Sequence, residues 1–310
     1  MQNIQSLSLG GYCEHNKNNG IKVYTDTRGL AWIKYEGFAA QRYPTFNTTA
    51  PNADEFMQIC RETRSVIASY ILEPNDCLPT NAFLYVGEAG SYTLQKLPHS
   101  TRKNVKRAMQ DLSYREIDWS TLQKCGLQAF VDTRERAQLS DNTVIEFEKR
   151  IQFVKELACH HIIGCFFESH LTAYLGLVVI DDFAEITFWY SENKYLGSRP
   201  NDGLFYYTLN LFLNECGLRL VSDGLSSLQP DEGPGLHHFK VRLGLEAKPV
   251  HRAFYVHPFL RPFINRFTLA CARTGLAWFG ANRRIRKIVG VMTMILQPTH
   301  SRSPVQSRVL

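Results

Sequence analysis

Hydrophobic and polar positions along this chain change period several times. In the first hundred residues short runs of β-branched and aromatic residues lie between turn formers: 22–26 (KVYTD), 30–36 (LAWIKYE), 65–72 (SVIASYIL), 82–86 (AFLYV) and 91–97 (SYTLQKL). Runs of this length and composition predict strands, with a short helix over 53–62. From Ser100 the spacing turns helical: TRKNVKRAMQDL repeats its apolar residues at helical intervals, Ser100 or Thr101 supplies a cap, and the outer face is basic. Two further helices are predicted near 119–139 and 142–159. Strands return at 161–168 (HIIGCFFE), 171–181 (LTAYLGLVVID) and 184–192 (AEITFWYSE). Their corners, Ser169-His170 and Asp182-Phe183, are so short that the three should pair antiparallel.

Beyond the meander a loop leads to the helix GLFYYTLNLFLNECG, capped by Asn201 or Asp202 and stopped at Gly217. A strand is predicted over 218–224, a helix in GLHHFKVRLG, and a final strand in KPVHRAFYVHP. In that last helix Phe239, Val241 and Leu243 are expected to turn inward, and Gly244 to release the backbone through a positive φ.

The tail has a different character. Phe259, Leu260, Phe263, Ile264, Phe267, Ala270 and Cys271 recur at helical spacing, and Ile285, Ile288, Val289, Met292, Ile295 and Leu296 do so again. We expect the first set to pack on the body and the second, around 278–296, to lie on an anionic membrane surface. The last residues, 297–310, have the composition of a disordered segment.

Charge sharpens this division. Glu246 is the last acidic residue, and the eleven basic residues after it, set against a total of +6, leave −5 for the first 246. An acidic body with a basic tail points to an anionic partner for the tail. The 310 residues are 44% hydrophobic, enough for one large domain or two ordinary ones. Eight cysteines lie scattered without a CxxC pair, which fits a reducing cytoplasm better than a disulfide framework. No apolar stretch approaches the roughly 18 residues a membrane span needs. The adjacent pairs His160-His161 and His237-His238 diverge and have no third ligand at a useful spacing, so no metal is expected.

Three local patterns, with the order of elements, resemble the acyltransferases of the GNAT superfamily, in the branch of Fem-type aminoacyltransferases and related cell-envelope proteins. LPHSTRKNVKRA at 97–108 resembles that branch's basic helix, the strand around LRLVSDGL resembles its second lobe, and GLHHFKVRLGLEAKPV resembles its closing signature. The resemblance spans about residues 20–258. It implies an α+β (mixed α/β) fold of two related lobes, each a mostly antiparallel sheet flanked by helices, followed by C-terminal helices. The corresponding division is a flexible N-terminus at 1–20, an N-terminal lobe with a helical insert at 21–160, a catalytic lobe at 161–258, a basic helical tail at 259–296 and the disordered end.

Acyl transfer to an amine needs a backbone donor for the oxyanion and a base for the amine proton. In the GNAT fold two splayed strands supply the first, and the next helix N-terminus receives the pyrophosphate of coenzyme A. A carboxylate at the end of an apolar strand suits a base working near neutrality, which puts Asp223 first among candidate bases, then Glu192 and Glu185 on the preceding strand, and Tyr190 is a candidate acid. Arg199, Asn201 and Gly203 are the candidate cofactor loop, and Arg102, Arg107 and Lys240 the candidates for an anionic substrate group. Glycine-rich phosphate loops carry two glycines here, whereas Arg199-Pro200-Asn201-Asp202-Gly203-Leu204 has one and adds a carboxylate.

The expected function is N-acyl transfer from acyl-CoA, acetyl-CoA first, to an amine of a small molecule, sugar or envelope precursor. The protein is expected in the cytoplasm, held peripherally at the inner face of the membrane. Two alternatives remain: a Fem-type transferase using aminoacyl-tRNA, and a noncatalytic GNAT-like protein binding a membrane or RNA.

Overall fold

A computed structural model of the chain describes residues 6–34, 37–137, 144–155, 160–226, 233–279 and 283–296. They form two compact units, each drawn from segments far apart in sequence: 1–12, 85–224 and 235–246 in one, and 13–84, 225–234 and 247–310 in the other. The chain enters through α1 (Leu9–Asn18), a helix where a flexible terminus was expected. Its start is tied down, since Asp181 accepts from Leu9 N–H at 3.2 Å and Leu7 bridges to Ile180.

In the 13–84 unit β1 (Lys22–Thr25), β2 (Ala31–Lys34) and β3 (Ala39–Tyr43) form an antiparallel meander. α2 (Phe56–Glu62) then carries the chain to β4 (Ile67–Leu72), which lies parallel to β3. Trp32, Phe56, Ile59, Ala68 and Tyr255 are the core here, with Phe56 and Tyr255 stacked at 4.5 Å.

The 85–224 unit takes the second part of β5 (Ala82–Glu88). Residues 91–97, expected as a strand, instead make a single tight turn at Leu94–Lys96. Only Tyr92 and Leu97 in that stretch are buried, so its alternation reflects two anchor residues and not a ladder. α3 (His99–Asp111) leads to β6 (Ser113–Glu116), α4 (Trp119–Cys125), α5 (Leu127–Arg136) and α6 (Val144–Lys155). One helix was expected over 119–139, but Gly126 divides it. A side chain there would strike Leu122, and the Gly126 carbonyl instead accepts from the Tyr174 hydroxyl at 3.1 Å.

The predicted meander follows as β7 (His160–Phe167), β8 (His170–Ile180) and β9 (Phe183–Ser191), antiparallel throughout. α7 (Pro200–Asn210) crosses to β10 (Leu220–Leu225), parallel to β9, and α8 (Gly233–Arg242) follows. The strand order in this unit is β5-β10-β9-β8-β7-β6. Gly217 and Gly244 have φ of 74° and 88°, the positive values that the two helix stops require. Each unit thus repeats one plan, an antiparallel three-strand meander, a helix and a parallel fourth strand.

β11 (Glu246–Val256) returns the chain to the 13–84 unit and pairs antiparallel with β4. A short turn at Pro258–Phe263 precedes α9 (Arg266–Phe279) and α10 (Arg283–Leu296). The two apolar sets of the tail differ in exposure from what was expected of the first, whose rings were to pack on the body. Phe259, Phe263 and Phe267 are 72%, 59% and 76% exposed, while Val291 and Met292 of α10 are buried. α10 buries those two residues, half-buries Ile285, Val289, Ile295 and Leu296 and leaves Ile288 exposed, and the first set leaves its rings in water. No helix among the described residues is long and apolar enough to cross a membrane.

Candidate active site

The 85–224 unit forks where its parallel strands meet. β10 and β9 pair over three residues, Leu220 with Phe183, Val221 with Ala184 and Ser222 with Glu185, and then separate. β9 continues six residues further along an edge that β10 has left, to Ser191, whose N–H donates to Thr133 Oγ1 at 2.8 Å and whose carbonyl accepts from Arg136 at 3.0 Å, so the open stretch is 186–190. Backbone groups on such an edge are available to a ligand in a way that laddered groups are not.

Asp223 is the first β10 residue beyond the ladder. Its carbonyl accepts from Lys240 Nζ at 2.8 Å, and its carboxylate Oδ2 lies 3.0 Å from the same ammonium. Both side chains are buried, at 7% and 6% exposure. Burial pushes the Asp223 carboxyl above the ordinary carboxylate range, and the charge of Lys240 works against that rise. The ammonium also lies 4.4 Å from the centre of the Tyr85 ring. The Tyr85 hydroxyl and His237 Nδ1 share a 2.9 Å hydrogen bond. Burial, then the Asp223 carboxylate, raises the Tyr85 hydroxyl, which keeps its proton. Tyr85 and His237 were not singled out by sequence as members of this group; nothing in their local pattern marks them, and only the β5-β10 neighbourhood and the turn of α8 bring them to Lys240.

α8 differs from expectation in one respect. Leu243 is buried and Phe239 stacks on Trp189 of β9 at 5.0 Å, but Val241 is 40% exposed. Residues two apart on a helix are about 200° apart around its axis, so 239 and 241 cannot share a face. Lys240 takes the inward place instead. Phe239 also meets Phe205 edge-on at 5.4 Å, so Trp189, Phe205 and Phe239 line one side of the unpaired stretch of β9.

The other expected residues fall in different surroundings. Tyr190 lies on the opposite face of β9 from Trp189, packed on Phe130 at 5.1 Å and Tyr174 at 5.4 Å. It borders a small apolar recess with Trp119, Phe147 and Arg150. Glu192 is buried, and both its oxygens lie 3.0 Å from His170 Nε2. Arg102 donates to the Gln95 carbonyl at 3.3 Å, and the exposed Arg107 pairs with Asp111 at 3.4 Å. Asp223 and Lys240 are therefore brought together, and Tyr190, Glu192, Arg102 and Arg107 each have other partners.

At the start of α7, Arg199 is exposed in a left-handed conformation (φ 59°) and Pro200 contributes no N–H. Asn201 Nδ2 donates to Ser191 Oγ at 3.0 Å, which ties the helix to the end of β9. The buried Asp202 carboxylate sits in the first turn, where the helix dipole favours an anion, and is held by the Arg242 guanidinium of α8. Gly203 is needed for contact inside the protein: a Cβ at this position would fall on the Tyr114 hydroxyl and within 2.9 Å of Ala108. The helix end thus carries its own anion, and its one glycine is filled by Tyr114.

No family model and no curated protein matches this sequence. Solved structures match in fold. The crystal structure of FemX aligns at TM-score 0.57 with 12% identity, over 84% of this chain and 95% of that one. The C-terminal domain (DUF2156) of a putative lysylphosphatidylglycerol synthetase from Agrobacterium fabrum aligns at TM-score 0.50 with 13% identity, over 85% and 90%. The chain has a GNAT-like, Fem-type fold.

Proposed function

We propose that the protein is an acyltransferase of the Fem type that moves an aminoacyl group from a tRNA ester to the amine of a small-molecule, sugar or envelope-precursor acceptor. The fork carries this reading: β9 and β10 part after three pairs, and a buried Asp223–Lys240 pair stands where they part. An ester carbonyl lying along the free edge of β9 meets backbone N–H donors, which stabilise the oxyanion formed when the amine nitrogen attacks. Asp223, with its raised affinity for a proton, takes the proton that the nitrogen loses. The carbon–oxygen ester bond then breaks, and the same proton passes to the departing ribose hydroxyl, so no group is left uncompensated. Lys240 holds the carboxylate and the free carbonyl in place.

The donor follows from α7. With Asp202 supplying the anion in its first turn, a pyrophosphate would meet a carboxylate and a filled glycine, whereas an aminoacyl ester needs no such cradle. The fold neighbours named FemX and lysylphosphatidylglycerol synthetase support the aminoacyl reading. Acyl-CoA is the second reading, and the exposed Arg199 is what favours it.

Two measurements separate them. Incubation with tRNA charged with labelled amino acids and a mixture of amine acceptors is expected to give transfer that Asp223→Asn removes. Acetyl-CoA is expected to leave the melting temperature unchanged; a rise that Arg199→Ala abolishes selects the CoA reading. Transfer from neither donor defeats both.

A further inference from the structure

Three phenylalanines of the tail, Phe259, Phe263 and Phe267, are each more than half exposed. Phe259 and Phe263 have ring centroids 6.2 Å apart, and Phe267 follows four residues later. On α9 itself Ala270, Cys271 and Thr274 are all exposed and lie at helical intervals from Phe267. The flanks are cationic: Arg266 and Arg273 are exposed on α9, and Arg261 is half-buried over Tyr255. A soluble surface seldom leaves three phenyl rings within nine residues this exposed unless something covers them.

We propose that this strip, Phe259, Phe263 and Phe267 with the arginines beside it, docks on an anionic lipid bilayer. Charge selects the occupant. Beyond Glu246 the chain has eleven basic residues and no acidic one, while the first 246 residues carry −5. An anionic surface therefore attracts the tail and repels the body, which orients the approach. Phenyl rings enter the boundary between headgroups and acyl chains while arginines pair with lipid phosphates, the division of labour of an interfacial helix. A second copy fits less well, because two such strips would bring like charges together. RNA could use the arginines and stack bases on the three rings, but Ala270 and Cys271 beside them offer a base nothing to stack on and a bilayer more apolar surface to bury. The proposal is independent of which acyl donor the fork uses, and it places the docking face on the turn and α9 and not on α10.

The test uses the full chain and sedimentation with vesicles, either pure phosphatidylcholine or two parts phosphatidylcholine to one part phosphatidylglycerol. The chain is expected to pellet with the mixed vesicles alone. Replacing all three phenylalanines together (F259S, F263S and F267S) is expected to weaken binding at least about tenfold. Replacing Arg266 and Arg273 by Gln should weaken it by about fivefold for each. An unchanged melting temperature shows that these exposed substitutions leave the fold intact. Binding unaffected by the phenylalanine changes overturns the proposal, as does equal binding to neutral vesicles. So does failure to pellet with the mixed vesicles, and phenylalanine-dependent tRNA binding or phenylalanine-dependent dimerisation on size exclusion would then name the occupant instead.

Discussion

A lysine is tolerated inside a protein when its charge is met, and Lys240 is met twice by one residue, through the carbonyl and the carboxylate of Asp223. Removing one member of such a pair leaves an uncompensated charge, so Lys240→Met should cost about 3–5 kcal/mol near neutral pH. The penalty should also depend on pH. The Asp223 carboxyl is raised in the folded protein, so the native state keeps its proton longer than the unfolded chain does. Stability associated with that proton is full below about pH 4 and is lost as pH rises toward the folded value. Without Lys240 the opposing charge is gone and the window extends upward. The deficit of Lys240→Met against the natural chain should therefore be small near pH 4 and grow toward neutrality. Denaturant titrations across that range check it, and a deficit independent of pH would contradict the role of Asp223 as its cause.

Gly203 makes a second residue-scale case. Read from sequence, it is half of a phosphate loop; in the structure it is the space that Tyr114 occupies. Gly203→Ala should cost about 1–3 kcal/mol through overpacking, measured by thermal or chemical unfolding, whether or not any nucleotide is present. A loop that served only a ligand would tolerate the methyl group in the free protein.

Among elements, the fork recurs. β3 and β4 also pair over three residues only, Ala39 with Ile67 through Gln41 with Ser69. There the cation is Arg42, which donates to the Ile71 carbonyl at 3.1 Å and to the carbonyls of Asn47 and Thr49. Burial pushes its guanidinium down to about 10, the neighbouring acidic groups opposing. Asp26 acts on Arg42 through space, but among the described residues Arg42 makes no ion pair, so this fork has a buried cation without the paired acid–base group that Asp223 supplies in the other. The meander, crossing helix and parallel strand were readable because each has its own period and punctuation. The forks were not, since divergence of two strands leaves no local pattern; Lys240 was read as a candidate for a ligand's charge, and its burial became clear only from the turn of α8. Short, polar β3 and β6 were missed for a similar reason: AAQRY and SYRE take their strand form from their neighbours and not from propensity. The link from α7 to α8 is also open to test. Arg242→Ala strands the Asp202 carboxylate, 5% exposed, and should destabilise by several kcal/mol, with Asp202→Asn in the same chain recovering part of the loss by the same denaturation assay.

For the whole molecule, thiol accessibility gives a check that depends on no activity. Cys77, Cys125 and Cys271 are exposed, whereas Cys13, Cys60 and Cys165 are buried. Burial pushes the Cys165 thiol up to about 11, which removes its thiolate at neutral pH as well as its access. Alkylation of the native chain followed by peptide mass spectrometry should mark the first three and spare the others. Early modification of Cys165 would show that the sheet around it is wrong.

The interleaving of the two units bears on how the protein comes into being at the ribosome. β4 leaves the exit tunnel with one of its flanking strands, but β11 lies roughly 180 residues further along, a wait on the order of 10–40 s at ordinary rates of translation. For that time a strand reading IASYIL offers an unsatisfied edge to any passing chain. Nascent copies on crowded polysomes should therefore lean on holdase chaperones until residue 256 emerges, and slowing elongation downstream of β4 would lengthen the dangerous interval.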